Sequence, residues 1–541
     1  MLQDNTRRTD GVAQFQRAIL QQDNRLLRFI LDQNAVDLKR VDVNEALCIC
    51  CQQNNIEGVQ ILLSLKWPLN LQYKDPEGRR ALHYAAAVGG VNIIELLLRE
   101  GIPINIFDNN KDYPVHLAVY NGHIDVIKYL IRKGALVNNS RNQNGETILH
   151  SAVERGQVEL VQALVEISLI DVNVETGLGY RNAPSPRPAG YTALHIAVQK
   201  CFTDIVKILC VNGANPNKGG SDLKFPIHIA AENGDVEILK ILLSAGADES
   251  VLEKMENTPL HVAVYSKTPT QVQVVEMLAK LGTGINNYNS QGMAPLHIAA
   301  CLSIPQVVDL LLQNGSKISL QSRRKGETAL VIAASTGHLE TINLLLERGS
   351  DIRDRDAMGH TVLHKVLSTQ RFGEKHVKAL AALIEAGAEL NVIDQHGYTP
   401  LHTCAFRAVL GDFSLKALKL LVGAGSYLSP QRTRDERFVR HSPLCLLVWH
   451  GHYEAADFLI RAGWDLREET WIYLPGKTDE QNRLHTEMQL RLRKPKLLSQ
   501  ACRDQIREYL CSLTQGKEIF SLIDQLPLPS RLKMDLKMLE L

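Results

Sequence analysis

The sequence predicts an all-α fold: about twelve short helix pairs stacked into a solenoid with β-turn loops between them, followed by a small three-helix domain. Three observations predict it. A four-residue phrase ending in histidine recurs with a period near 33 residues. Between copies, apolar residues fall at helical spacing in two segments, with glycine as the stop signal. After residue 495 the phrase is gone and a leucine pattern of another kind begins.

Composition sets the class. The 541 residues are 45% hydrophobic, 22% charged and 5% aromatic, an ordinary globular mixture. The 60 Lys and Arg nearly balance 59 Asp and Glu, giving a formal net charge of +1. Phosphate-driven binding needs a basic excess, so no nucleic-acid partner is expected. No run of about 18 apolar residues occurs, so no membrane partner is expected. Met1 to Gly11 lacks the apolar core of a secretory signal. The ten cysteines, Cys48 to Cys511, read as reduced thiols rather than a disulfide framework. A cytoplasmic protein is expected, with entry to the nucleus left open.

Residues 1–44 form the first element, a capping helix pair with apolar positions at Phe15, Ile19, Leu20, Leu26, Leu27, Ile30 and Leu31. Ala46 to Leu63 repeats that pattern with Cys48, Cys50, Val59, Ile61 and Leu62, as a degenerate repeat. The recurring phrase then starts. It reads Arg80-Ala81-Leu82-His83, Thr147-Ile148-Leu149-His150, Thr192-Ala193-Leu194-His195 and Phe225-Pro226-Ile227-His228. It continues as Thr258-Pro259-Leu260-His261, Ala294-Pro295-Leu296-His297, Thr361-Val362-Leu363-His364 and Thr399-Pro400-Leu401-His402. Degenerate copies are Tyr113 to His116, Thr328 to Val331 and Ser442 to Cys445. Successive spacings are 33, 34, 45, 33, 33, 36, 34, 33, 38 and 43 residues. The two longest are read as insertions of about ten residues into one period, not as lost repeats.

One repeat shows the local physics. After Ile227-His228, Gly234 can end the first helix. Val236, Ile238, Leu239, Leu242 and Leu243 then mark the buried face of a second. Gly246-Ala247-Asp248 turns the chain outward. So short a pair cannot bury its face alone, and stacking supplies the core. The period and the Thr-Pro-Leu-His-x-Ala core resemble the ankyrin repeat, and residues 45–465 are assigned to such repeats.

Nothing in the pattern suggests catalysis or a cofactor. The nine histidines of the phrase sit at helix starts, where hydrogen bonding between adjacent loops is the expected role. Cys48, Cys50 and Cys51 lack the second ligand pair of a zinc site, so core packing and no metal are expected. Gly476-Lys477-Thr478 has the tail of a phosphate loop, but Trp471 stands where its first glycine belongs. Gly177-Leu178-Gly179 does not open a helix. A stacked array instead offers a long concave surface suited to protein binding. Two insertions and one tip carry exposed cations: Arg181 and Arg187 within 176–190, Arg432 and Arg434 within 429–441, and Arg323-Arg324-Lys325. They are candidates for an acidic or phosphorylated protein substrate. Solvated loop charge is the competing explanation.

Residues 466–494 are polar and irregular and are assigned as a connector, helical in part between Asp479 and Leu492. From 495 the pattern changes. Leu498, Cys502 and Ile506 fall four apart, on one stripe of a helix that Leu510 extends. Ile519, Leu522 and Ile523 suggest a second helix. Leu526-Pro527-Leu528-Pro529 excludes a helix interior, and Pro529 can open a last helix carrying Leu532, Leu536 and Leu539.

Residues 495–541 resemble the SOCS box. Leu498, Cys502 and Ile506 match its Elongin-binding half, and Leu526, Pro527, Leu528 and Pro529 match its cullin-binding half. Together with the repeats, the chain is similar to the ankyrin repeat and SOCS box family. It departs from the pattern at Leu497, where Ser, Thr or Pro is usual, in a longer stretch between the two halves, and at Met534-Asp535-Leu536. The resemblance implies a non-catalytic substrate receptor of a cullin-RING ubiquitin ligase. Elongin C, paired with Elongin B, would dock on the first half and a cullin with its RING protein on the second, while the repeats capture a protein substrate. A second possibility is an ankyrin scaffold in intracellular signalling without ubiquitin transfer. A third, a hidden enzyme, has no supporting residues.

Overall fold

A computed structural model describes residues 2–32, 42–65, 69–178, 189–411, 413–429, 442–467, 469–473, 476 and 478–493; at 2–11, 470 and 491–493 it describes the backbone alone. Among these residues all regular structure is helical, apart from one isolated antiparallel bridge between Glu175 and Thr192. The chain divides into two compact units, Met1–Lys254 with Ser266–Val274, and Met255–Tyr265 with Val275–Leu541.

Each unit repeats one plan. The helix Pro226–Asn233 starts with proline, whose fixed φ suits the first turn and whose missing N–H costs nothing there. Gly234 ends it in the left-handed region at φ 73°, and Asp235 caps the next helix by accepting from Ile238 N. In Val236–Ser244, Ile238, Leu239 and Leu242 are buried, whereas Val236 and Leu243 flank that face and are half-buried. The first helix is buried on nearly every side: Ile227, Ile229, Ala230 and Ala231 all lie in the core. Small alanines permit that close approach to neighbouring helices.

The first unit opens with helices Leu2–Gln21 and Asn24–Asp32, and Phe15, Ala18, Ile19, Leu27 and Ile30 are buried. Leu20 departs from the expected core face and is exposed. The helix ends one residue later, and Gln22 turns the chain at φ 57°. Within the 45-residue spacing, backbone hydrogen bonds join residue 176 to residues 190 and 191. Thr176 N donates to Tyr191 O at 2.7 Å, and Gly190 N donates to Thr176 O at 2.9 Å.

In the second unit the extra residues are spread differently from the single insertion expected at 429–441. Part of the surplus lies between helices Pro400–Phe406 and Leu415–Ala424, where Arg407 and Ala408 are buried. In the preceding repeat, Glu374–Glu385 is lengthened to 12 residues. The stretch read as a connector holds a short 3-10 turn, Thr470–Tyr473, and the helix Asp479–Arg493. It has a buried face: Trp471, Ile472, Gln481, His485 and Met488. The last three fall at helical spacing, which polar Gln and His conceal in a hydropathy pattern. The SOCS-box stretch 495–541 lies outside the described residues.

Candidate protein-binding surface

The surface is built from the turns between repeats, and the phrase histidines set those turns. At Thr147, Thr192, Thr258, Thr361 and Thr399 the backbone N–H donates to Nδ1 of the histidine three residues on, at 3.0–3.2 Å. An accepting Nδ1 leaves the proton on Nε2, which fixes the neutral tautomer. Nε2 then donates to a carbonyl of the following turn: His83 to Asp112 O, His150 to Tyr191 O, His195 to Lys224 O, His261 to Met293 O, His297 to Leu320 O and His364 to Tyr398 O, at 2.8–3.2 Å. The histidines are therefore positioning residues for the turns.

A second ladder was not read from the sequence. Asn217 Nδ2 donates to Gly246 O at 2.8 Å, and its Oδ1 accepts from Asp248 N at 2.7 Å. Asn105, Asn138, Asn173 and Asn286 clamp the next turn in the same two-handed way. The signal was available, because these asparagines mostly follow a Gly-x-x-x spacing. An amide suits the task since it offers one donor and one acceptor to a C=O and an N–H.

At the outer tips of the second unit, single backbone bonds join one turn to the next. Ser290 N donates to Met255 O, Arg323 N to Gly292 O, Ala357 N to Lys325 O and Gln395 N to Met358 O, at 2.8–3.0 Å. On this ledge Arg323 lies with Cζ 4.5 Å from the centroid of the Tyr288 ring. Arg324 Nη2 donates to Ser290 O at 2.5 Å. Of the predicted substrate-binding cations, Arg323 and Arg324 thus share one exposed tip. Arg181, Arg187, Arg432 and Arg434 lie outside the described residues, as do Leu498, Cys502, Ile506, Leu526, Pro527, Leu528 and Pro529.

On the next turns, Lys365 and His360 are met by carboxylates. Lys365 pairs with Glu327 at 2.5 Å and Asp356 at 3.2 Å. His360 lies between Asp356, at 3.0 Å, and Asp394, at 3.5 Å. Its pKa is raised by those carboxylates, Asp394 foremost. Further along the second unit, Phe406 and Trp449 occupy equivalent positions at the ends of first helices and are 48% and 42% exposed.

The cysteines of the first degenerate repeat are engaged in packing. Cys48, Cys50 and Cys51 are buried, and burial pushes the thiols of Cys48 and Cys50 up to about 12. Among the described residues no group of three His, Cys, Asp or Glu is placed to hold a metal ion. Among them, no helix is long and apolar enough to cross a membrane.

Comparison with known proteins gives the family. A family model described as ankyrin repeats (3 copies) matches residues 15–108, 104–176, 178–253, 194–289, 227–322 and 296–394. The human protein named transient receptor potential cation channel subfamily A member 1 is 26% identical over 341 residues, 55% of this chain and 29% of its own length. The mouse B-cell lymphoma 3 protein homolog is 26% identical over 224 residues, 41% of each chain. The E3 ubiquitin-protein ligase KEG of Arabidopsis thaliana is 24% identical over 307 residues, 54% of this chain and 18% of its own. The chain thus spans less than half the length of these relatives. With matches running over more than half of its residues and one helix-pair plan throughout, the chain belongs to the ankyrin-repeat family.

Proposed function

We propose that this ankyrin-repeat, protein-binding chain is the substrate receptor of an Elongin B/C, cullin and RING ubiquitin ligase. The observation that carries the proposal is the order of two motifs behind the repeats: Leu498-x3-Cys502-x3-Ile506, then Leu526-Pro527-Leu528-Pro529. A helix bearing those three residues on one stripe fits an adaptor groove, and burying Leu498 there is worth about 1.5–3 kcal/mol. A tail of this size is too small to bury its leucines alone. The chain carries no catalytic role in this reading. It holds a substrate near a ubiquitin-charged partner, and proximity is its contribution. The plant relative named as an E3 ubiquitin-protein ligase supports the pairing of such repeats with ubiquitin transfer.

The test is co-purification of the full chain with Elongin B and Elongin C, beside the Leu498→Asp, Cys502→Asp double variant. A stoichiometric complex with the first and none with the second is the expected result. No complex with a wild-type chain that circular dichroism shows to be folded would sink the reading. A scaffold role without ubiquitin transfer would then stand, and removal of 495–541 would leave partner binding intact.

A further inference from the structure

We infer that the tip Arg323-Arg324-Lys325, with Met358 on the next tip and Met255 two tips before it, docks an acidic peptide segment whose carboxylates are bordered by apolar side chains. This deepens the receptor reading and rests on it, by naming the chemistry of the captured segment.

Three facts carry the inference. First, these consecutive cations are exposed, and among the described residues no carboxylate lies within ion-pair distance of them. Glu327 and Asp356 are already paired with Lys365, and Asp351 with Arg353. Second, the two guanidiniums are held in place. Arg323 lies over the Tyr288 ring and Arg324 is tied to Ser290 O. Each guanidinium carries five N–H donors, so a free edge remains for a bidentate carboxylate. Holding the side chains beforehand reduces the entropy lost on binding. Third, Met255 and Met358 are 48% and 41% exposed, on tips joined to this ledge by backbone hydrogen bonds. Unbranched thioether side chains adapt to apolar partners.

The surroundings favour a peptide over a nucleic acid. The tip offers three cations on a chain whose formal net charge is +1, which is little for a polyphosphate, whereas an exposed methionine beside it suits the apolar flanks of a peptide.

The probe is a fluorescein-labelled peptide of four alternating Asp and Glu residues between leucines, titrated with the full chain by anisotropy. Wild type is expected to bind in a salt-sensitive manner. The Arg323→Glu, Arg324→Glu variant should bind about tenfold or more weakly. Tyr288→Leu, which leaves the charge intact, should bind about two- to fivefold more weakly. Replacing the peptide's leucines with serine should also weaken it. Unchanged affinity in the charge-reversed variant overturns the inference. So does a single-stranded oligonucleotide of equal charge that competes as well as the peptide. Circular dichroism of each variant verifies folding. The same preparations are scored for Elongin B and C. Adaptor binding without peptide binding overturns the docking tip alone, and peptide binding without adaptor binding overturns the ligase reading alone.

Discussion

His360 and His364 have ring centroids 5.8 Å apart, and the fold drives their imidazoles in opposite directions. Burial pushes His364 from 6.5 down to about 4, and its two backbone bonds hold the neutral tautomer. His360 is instead raised, by Asp394 and then Asp356. One residue requires neutrality for its bonds to the turn, and the other gains from charge.

The buried histidines make the fold acid-sensitive. Burial pushes His83, His116, His195, His364 and His402 each from 6.5 down to about 4. Above pH 6.5 all are neutral whether folded or unfolded, and no stability is lost. Between 6.5 and 4 the unfolded chain takes up protons that the folded chain refuses. Stability then falls with falling pH, by up to about 1.4 kcal/mol per unit for each histidine. Urea midpoints should drop between pH 7 and 5, before most carboxylates titrate. His360 has the opposite sign: its contribution is present below 6.5 and is lost as pH rises through its raised value. Histidine proton shifts in an NMR titration should separate the two, and coincident titration curves would contradict the assignment.

Among the described residues Arg407 is the largest fully buried side chain, and its Nη1 donates to Leu367 O at 2.8 Å and Thr369 O at 2.6 Å. Its guanidinium also lies 4.7 Å from the Phe372 ring. A cation at the carbonyl end of helix Val362–Leu367 is favourable. Arg407→Met keeps much of the volume but strands two acceptors, and should cost about 1.5–3 kcal/mol. Amide exchange over 363–372 should accelerate in that variant. Unchanged protection there would refute the role.

The asparagine ladder predicts a loss and a gain. Asn217→Ala removes both bonds to the following turn and should destabilise by about 1–2 kcal/mol, with faster exchange at Asp248 N–H. Ser319 stands at the position that Asn286 fills one repeat earlier. Ser319→Asn should reach the turn beginning at Gly349 and raise the melting temperature. A lowered one would show that the register differs there.

Glu469 gathers three donors: Ser442 Oγ at 2.9 Å, Trp464 Nε1 at 2.8 Å and Trp471 Nε1. Burial raises its carboxyl, and the three donors oppose that shift. Glu469→Ala leaves buried indole and hydroxyl donors unmatched, at about 1–3 kcal/mol each at most. Tryptophan emission should shift to the red as the cap over the last repeat loosens. Unchanged emission and melting would remove Glu469 from that role.

The repeat was legible because each copy states the same local rules. Thr, Pro and His at fixed offsets fix a cap, a first turn and a tautomer within four residues, so no distant partner is needed to read them. Arg407 and Glu469 carry no such local signature. Arg407 binds a carbonyl 40 residues away and Glu469 a hydroxyl 27 residues away, and only packing reveals those partners. The segment 466–494 looked irregular because its buried face is made of Gln481, His485 and Met488 rather than of leucines.

The sequence by itself determined the period, the helix pairs and the ankyrin-repeat family, since those follow from spacing along the chain. It also located the basic tip Arg323-Arg324-Lys325. Only the tertiary structure decided which cations stay available. Lys365 and Arg353 are as basic as their neighbours, yet Glu327, Asp356 and Asp351 are turned toward them. Arg323 and Arg324 meet a tyrosine ring and a carbonyl instead. The physical reason is that ion pairing acts over a few ångströms, and stacking decides which carboxylates come within that reach.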